Sequence, residues 1–381
     1  MKRVICLALI LLLLCGCSAS GQYVYTRAHV SAGSSTQTSD NGIGTREDLT
    51  SAISSMLRAA VESDTLMIYD YQGDLDTDLE SITSDLTKSD PFGVYAVSSI
   101  VFKQVTILSR TELAVSIQYS RTEQEIASVV EAPTDADLAL RITEALDNFS
   151  TGKAFYLEKV GIADPEALVQ KCWLQNPANA VGLKDFSVAS YPPKGESRIL
   201  ELKVEYLDNF TVLQKQREAI RSATAAVCAE YSGQSDRDKL DFIYAYLHDN
   251  VTYDTDAARV VAETGGRQAK TSLYTAYGAL LENRAAQSGV ALAAKALCDG
   301  LGLSSLTVCG TLDGEPYVWL VVSTEEGLLH FDPTSLLAKN GESTDSTNAT
   351  EAEKSADYIY LFTAAEARHM FSWNKSLYGI Y

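Results

Sequence analysis

The chain has 381 residues, 46% of them apolar and 21% charged, which is enough for two or three packed domains and excludes wholesale disorder. Its formal net charge of −19 disfavours nucleic acid and anionic lipid headgroups as partners.

Lys2 and Arg3 precede an apolar run over residues 4–14. That run is too short to cross a bilayer as a helix and reads as the core of a signal peptide. The tetrapeptide Leu14-Cys15-Gly16-Cys17 resembles the bacterial lipobox, in which cleavage precedes a cysteine that carries lipid. The resemblance implies a signal peptide over 1–16, lipid on Cys17, and an extracytoplasmic protein anchored to the bacterial cell membrane. Each buried methylene of such a lipid contributes about 0.8 kcal/mol, so several chains hold stably. Residues 17–45, rich in Ser, Gly and Thr, read as a flexible spacer. Beyond it lie Cys172, Cys228, Cys298 and Cys309. They can pair in three ways or remain buried thiols, and no Cys-x-x-Cys spacing suggests zinc. No metal or cofactor is expected.

Residues 46–216 read as one unit used twice, over 46–125 and 126–216. The first copy has helices at 49–61 and 79–86, a strand at 67–71, the landmark Asp90-Pro91, and strands at 98–108 and 112–119. The second has helices at 138–146 and 165–174, a strand at 154–160, the landmark Asn176-Pro177, and strands at 184–189 and 198–206. Pro91 to Pro177 and Tyr119 to Tyr206 differ in offset by one residue, which falls in the hairpin turn, where insertions are tolerated. Leu113, Val115, Ile117 and Tyr119 alternate on one strand face, as do Leu200, Leu202, Val204 and Tyr206. Each α-β-α-β-β copy is too small to bury much core alone, and neither shows a nucleophile–base pair or a phosphate loop. A connecting helix is expected over 217–234.

The rest of the chain, 235–381, opens with Leu240, Ile243, Tyr244 and Leu247 on one helix face, running into Val251-Thr252-Tyr253-Asp254. A second helix carries Leu273, Ala276, Tyr277 and Leu280, and Glu282-Asn283-Arg284 turns the chain. A third carries Val290, Ala293, Ala294 and Leu297 and ends at Asp299-Gly300. Alternation then puts Tyr317, Trp319 and Val321 on one strand face, with Glu325-Glu326-Gly327 as a hairpin turn before His330-Phe331-Asp332-Pro333-Thr334. A polar loop is expected over 338–355, followed by a strand at 357–362 and a last segment at 366–373. No His-Glu-x-x-His spacing occurs, so metalloprotease chemistry has no support.

This order, from about 235 to 374, resembles the transglutaminase-like proteins of the papain-like superfamily. Their turn into the long helix is similar to Asn-Gly-Lys-Ala-Val-Cys-x-Gly, which laid on 283–291 puts Arg284 at the Lys, Gln287 at the Cys and Gly289 at the Gly. Their histidine sits in a pattern like Gly-x-x-His-Ala-Trp-Asn, which puts Tyr317 at the His, and their aspartate falls on Asp332. The family's cysteine suits a helix N-terminus because amide dipoles there stabilise a thiolate. A strand histidine then serves as base and an acid orients it. A carboxamide is neither nucleophilic nor ionisable, and a tyrosine of ordinary pKa is a poor base near neutrality. The resemblance therefore implies an α+β fold, with helices on an antiparallel sheet preceded by the two α-β-α-β-β repeats, but not the activity.

The expected function is a lipid-anchored surface protein with a catalytically inactive domain that binds a protein, peptide or cell-wall component. Trp319, Ser288 and His330 are candidates for lining its cleft; a packed aromatic core is the other reading of the Tyr317 and Trp319 face, and simple packing or exposure that of His330. The alternative is a hydrolase or acyl transferase with a rearranged site around Ser288, Tyr317 and Asp332. A purely structural domain is a third reading.

Overall fold

Helix α1 (Arg46–Arg58) starts at Thr45, whose Oγ1 accepts the backbone N–H of Asp48, and buries Leu49, Ile53, Met56 and Leu57 along one face. It belongs to a computed structural model that describes residues 42–381 except 108–109, 160, 234, 258, 260–270, 336 and 338–359. The signal peptide, Cys17, all but the end of the spacer, and the polar loop over 338–355 lie outside the described residues.

Strand β1 (Ser63–Tyr69), helix α2 (Leu75–Lys88) and a six-residue helix α3 (Pro91–Ala96) follow. Helix α3 has no counterpart in the sequence reading. Asp90 caps it and Pro91 supplies its first turn, but six residues are too few to show a helical period. The hairpin of β2 (Val97–Ile107) and β3 (Arg110–Tyr119) completes an antiparallel sheet of order β1-β3-β2. Leu113, Val115 and Ile117 of the central strand are buried, as their alternation predicts.

The next stretch holds α4 (Glu123–Ala127), β4 (Val130–Glu131), α5 (Asp135–Asp147), β5 (Gly152–Leu157) and α6 (Pro165–Leu174), then β6 (Leu183–Tyr191) and β7 (Arg198–Tyr206). Its sheet runs β4-β5-β7-β6, with β4 parallel to β5 and the other pairs antiparallel. Strands β5-β7-β6 thus share the order of β1-β3-β2. The landmarks differ, because Asn176-Pro177 enters a turn rather than a helix. On β7, Leu200, Leu202 and Val204 face a core with α5 and α6, whereas Ile199 joins the apolar cluster of α1 and β3. Glu201 shares the face of Ile199, is buried, and receives Arg121 through two bonds of 2.7 and 2.9 Å.

Helix α7 (Phe210–Cys228) begins before the connector expected at 217–234. Its buried Leu213, Ile220 and Val227 belong to the core of the following helices, so it is part of that core rather than a link. Helix α8 (Asp236–Asn250) carries a capping box between Ser235 and Asp238. The helix expected around 273–280 is split into a 3₁₀ turn (Ser272–Tyr274) and α9 (Ala276–Leu281), because Thr275 between them is extended, with φ −123° and ψ 163°. Strands β8 (Thr252–Tyr253) and β9 (Arg284–Ala285) pair in parallel and lead into α10 (Gln287–Gly300).

All residues of α10 from Gly289 to Cys298 are buried, the pattern of a helix enclosed on every side. Gly289 is required there: a Cβ on it would lie 2.4 Å from the Leu273 carbonyl oxygen. The left-handed glycine after this helix is Gly302 (φ 73°), two residues beyond the expected Gly300. Strands β10 (Ser304–Leu312), β11 (Glu315–Thr324), β12 (Gly327–Phe331) and β13 (Leu361–Thr363), helix α11 (Ala364–Met370), β14 (Phe371–Trp373) and α12 (Lys375–Tyr378) follow. The five strands form an antiparallel sheet of order β13-β12-β11-β10-β14, one face of which packs on α10. The fold is α+β. Among the described residues, no helix is long and apolar enough to cross a membrane.

Candidate functional site

The approach to α10 is held from two sides. Thr252 N–H donates to Asn283 O and Asp254 N–H to Ala285 O, each at 2.9 Å, while Ala286 N–H donates to Leu273 O at 2.8 Å. Asp254 is buried, accepts the Ala257 N–H at 2.8 Å, and pairs with Arg284 at 2.7 Å. This ion pair joins the two turns that fix where α10 begins. Ala286 at the N-cap has no side chain to satisfy the first-turn amides, which leaves them turned to whatever occupies the helix start.

Gln287, the first residue of the helix, is half-buried, and its Nε2 donates to the Val318 carbonyl on β11. The neighbouring Tyr317 hydroxyl lies 3.1 and 3.0 Å from the two carboxylate oxygens of Asp332 and 2.5 Å from Thr334 Oγ1. Asp332 also accepts from the Thr334 N–H at 3.0 Å and the Thr334 hydroxyl at 2.8 Å. The structure therefore joins Tyr317 to Asp332 just past the end of β12, and joins Gln287 at the start of α10 to Val318, the residue after Tyr317 on β11.

The chemistry of this corner is restrained. The Gln287 carboxamide does not ionise, and its N–H is engaged with a backbone carbonyl. Burial, followed by the charge of Asp332, pushes the Tyr317 hydroxyl well above its ordinary value, so it stays protonated and donates. Burial also raises the Asp332 carboxyl, against the pull of the Thr334 and Tyr317 donors. What the described residues form here is a hydrogen-bond set around one acid, Asp332, made by Tyr317 and Thr334.

Ser288 stands beside the corner, half-buried, with its hydroxyl donating to the Tyr274 carbonyl at 3.3 Å. Trp319 and His330 do not line a cleft but are packed in the core: they are 0% and 1% exposed. The Trp319 indole N–H donates to His330 Nδ1 at 3.0 Å, and Phe371 and Trp373 pack on the pair. The strand face carrying them is covered by α11, β14 and α12, chain that comes later. Alternation along β11 identifies the shared face but not its cover.

Cys172, Cys228, Cys298 and Cys309 are free, and burial raises each thiol, Cys298 and Cys309 to about 12. None has the electropositive, accessible setting that makes a thiolate. The sequence reading missed Thr334 and the Asp254–Arg284 pair. The Asp-x-Thr spacing of Asp332 and Thr334, which lets a carboxylate bond an amide two residues on, was a signal for the first. Nothing local announces the second.

No family model and no curated protein matches the sequence. Among solved structures, the chain is similar to a TGase at 17% identity and a TM-score of 0.32, over 61% of this chain and 65% of that one. It is also similar to a candidate cysteine protease from Cytophaga hutchinsonii at 12% identity and a TM-score of 0.24, over 42% of this chain and 68% of that one. A candidate protease from Parabacteroides distasonis matches at 9% identity and a TM-score of 0.20, over 73% of this chain and 60% of that one. The chain thus spans less than two thirds of the first and third of these structures.

Proposed function

We propose that the protein is a lipid-anchored surface protein whose C-terminal body is a transglutaminase-like frame without catalysis, used to bind a protein, peptide or cell-wall component. The observation that carries this reading is the corner at the start of α10. Where the family resemblance implies a thiolate and a base, Gln287 is bonded to a backbone carbonyl and Tyr317 to a buried acid. The shared strand order supports the duplicated reading of 46–216, a region read as a scaffold or partner-binding module. Anchoring rests on the lipobox-like run ending at Cys17.

The test uses the purified chain with thiol- and serine-directed covalent reagents and a peptide library. The expected result is no site-specific labelling and no turnover. Labelling of Ser288, or turnover abolished by Ser288→Ala, would overturn the proposal. Cys17→Ser is expected to release the protein from the membrane fraction and remove incorporation of labelled fatty acid.

A further inference from the structure

A cavity of about 500 Å³ opens between the end of β7 and the start of α7, away from the corner at Gln287. This volume lies in the range of sites that hold small molecules or side chains, about 300–1,000 Å³. Phe149 and Leu213 form part of its buried wall, and Tyr206 and Phe210 also line it. The Phe149 ring meets Tyr206 at 88° with centroids 5.7 Å apart, and Phe210 at 79° and 6.1 Å. Phe210 is 56% exposed, although α7 buries its apolar residues Leu213, Ile220 and Val227 in the core. A phenylalanine left open beside a cavity is the part of this surface that packing of the chain itself does not account for.

We propose that this cavity takes the side chain of a basic peptide: an ammonium or guanidinium group on an apolar stem. The charged residues in its lining are Glu205 and Asp208, both carboxylates, while its body is aromatic and aliphatic. Aromatic faces attract a cation through their quadrupole, and an apolar stem gains from the same walls. One ring of the set already holds a cation: the Arg217 guanidinium carbon lies 4.3 Å from the Phe149 centroid. Arg217 does not line the cavity, and it is engaged with the Asp147 carbonyl. Its charge opposes a ligand cation, whereas the two carboxylates in the lining attract one. Lys184 pairs with Glu205 at 2.8 Å, but both side chains are exposed, so water screens the pair and a ligand can share the carboxylate. An anionic ligand would meet this rim with like charge. A neutral sugar would use the rings but would gain nothing from the charge.

The inference stands apart from the reading of the Gln287 corner. It is tested by calorimetric titration of the purified chain with tetralysine, tetra-arginine and the uncharged tetracitrulline. The expected result is binding of the two basic peptides, weakened by added salt, and none of tetracitrulline. Phe210→Ala and Asp208→Asn should each weaken binding about tenfold, Phe210→Tyr should retain it, and Glu325→Gln, which removes a distant exposed charge, should leave it unchanged. Asp208→Asn is expected to leave the melting temperature unchanged, and Phe210→Ala to lower it only slightly, because Phe210 is more than half exposed. Equal affinity in all variants, or an equal loss in Glu325→Gln and Asp208→Asn, would assign the binding to diffuse attraction and overturn the proposal. So would no binding of either basic peptide, or Phe210-dependent binding of a neutral chitooligosaccharide in their place.

Discussion

Acidification should weaken this fold through one histidine. His330 is 1% exposed, its Nδ1 accepts the Trp319 indole N–H, and its neighbours Phe371 and Trp373 carry no charge. Burial, with a smaller contribution from Arg368 on α11, lowers its pKa from 6.5 to about 4. Protonation of Nδ1 would break the Trp319 bond and place a cation in an apolar setting. The unfolded chain takes up this proton near pH 6.5 and the folded chain only near pH 4, so the unfolded state binds more protons in between. The stabilising contribution is therefore complete above about pH 6.5 and lost as pH falls towards 4. At 1.36 kcal/mol per pH unit the full loss is about 3 kcal/mol, and about 2 kcal/mol is gone by pH 5.

Urea unfolding followed by tryptophan fluorescence, for wild type and His330→Gln from pH 7.5 to 4.5, measures this directly. Glutamine keeps an acceptor for the indole but cannot titrate. The wild type should lose about 2 kcal/mol more than the variant between pH 7.5 and 5. Should His330→Gln fail to fold, the His330 ring proton shifts of the wild type give the same answer, remaining those of the neutral ring at pH 5. Parallel pH profiles, or a His330 that titrates near 6.5, would refute the reasoning.

Two further outcomes follow from buried contacts. Arg121→Ala should cost about 3 kcal/mol, because it leaves the buried Glu201 carboxylate without its bidentate partner, and adding Glu201→Gln should recover part of the loss; a cost under 1 kcal/mol would contradict this. Gly289→Ala should cost about 2 kcal/mol or more, since its Cβ meets a backbone oxygen rather than a flexible side chain, and an unchanged denaturation midpoint would show that the 3₁₀ turn can move aside.

The local patterns of this chain were legible without a structure. Period-3.6 apolar spacing located α1, α5, α8 and α10, and alternation located the buried faces of β3 and β7. Gln287 and Tyr317, which the resemblance lays at the positions of a cysteine and a histidine, are likewise read from the sequence alone. Tertiary structure decided what those residues touch. Thr275 adopts extended backbone and breaks a helix whose apolar spacing was continuous. Glu201 is polar in an alternating strand, and the approach of Arg121 from the turn after β3, with Tyr191 and Lys203 beside it, makes its burial tolerable. Trp319 and His330 share a face by alternation, yet whether that face meets solvent or protein depends on α11, β14 and α12 packing back over it. Periodicity reports which residues lie side by side on one element. Which of those faces is covered, and by what, is settled by chain segments far away in sequence, so it becomes visible only when they have packed.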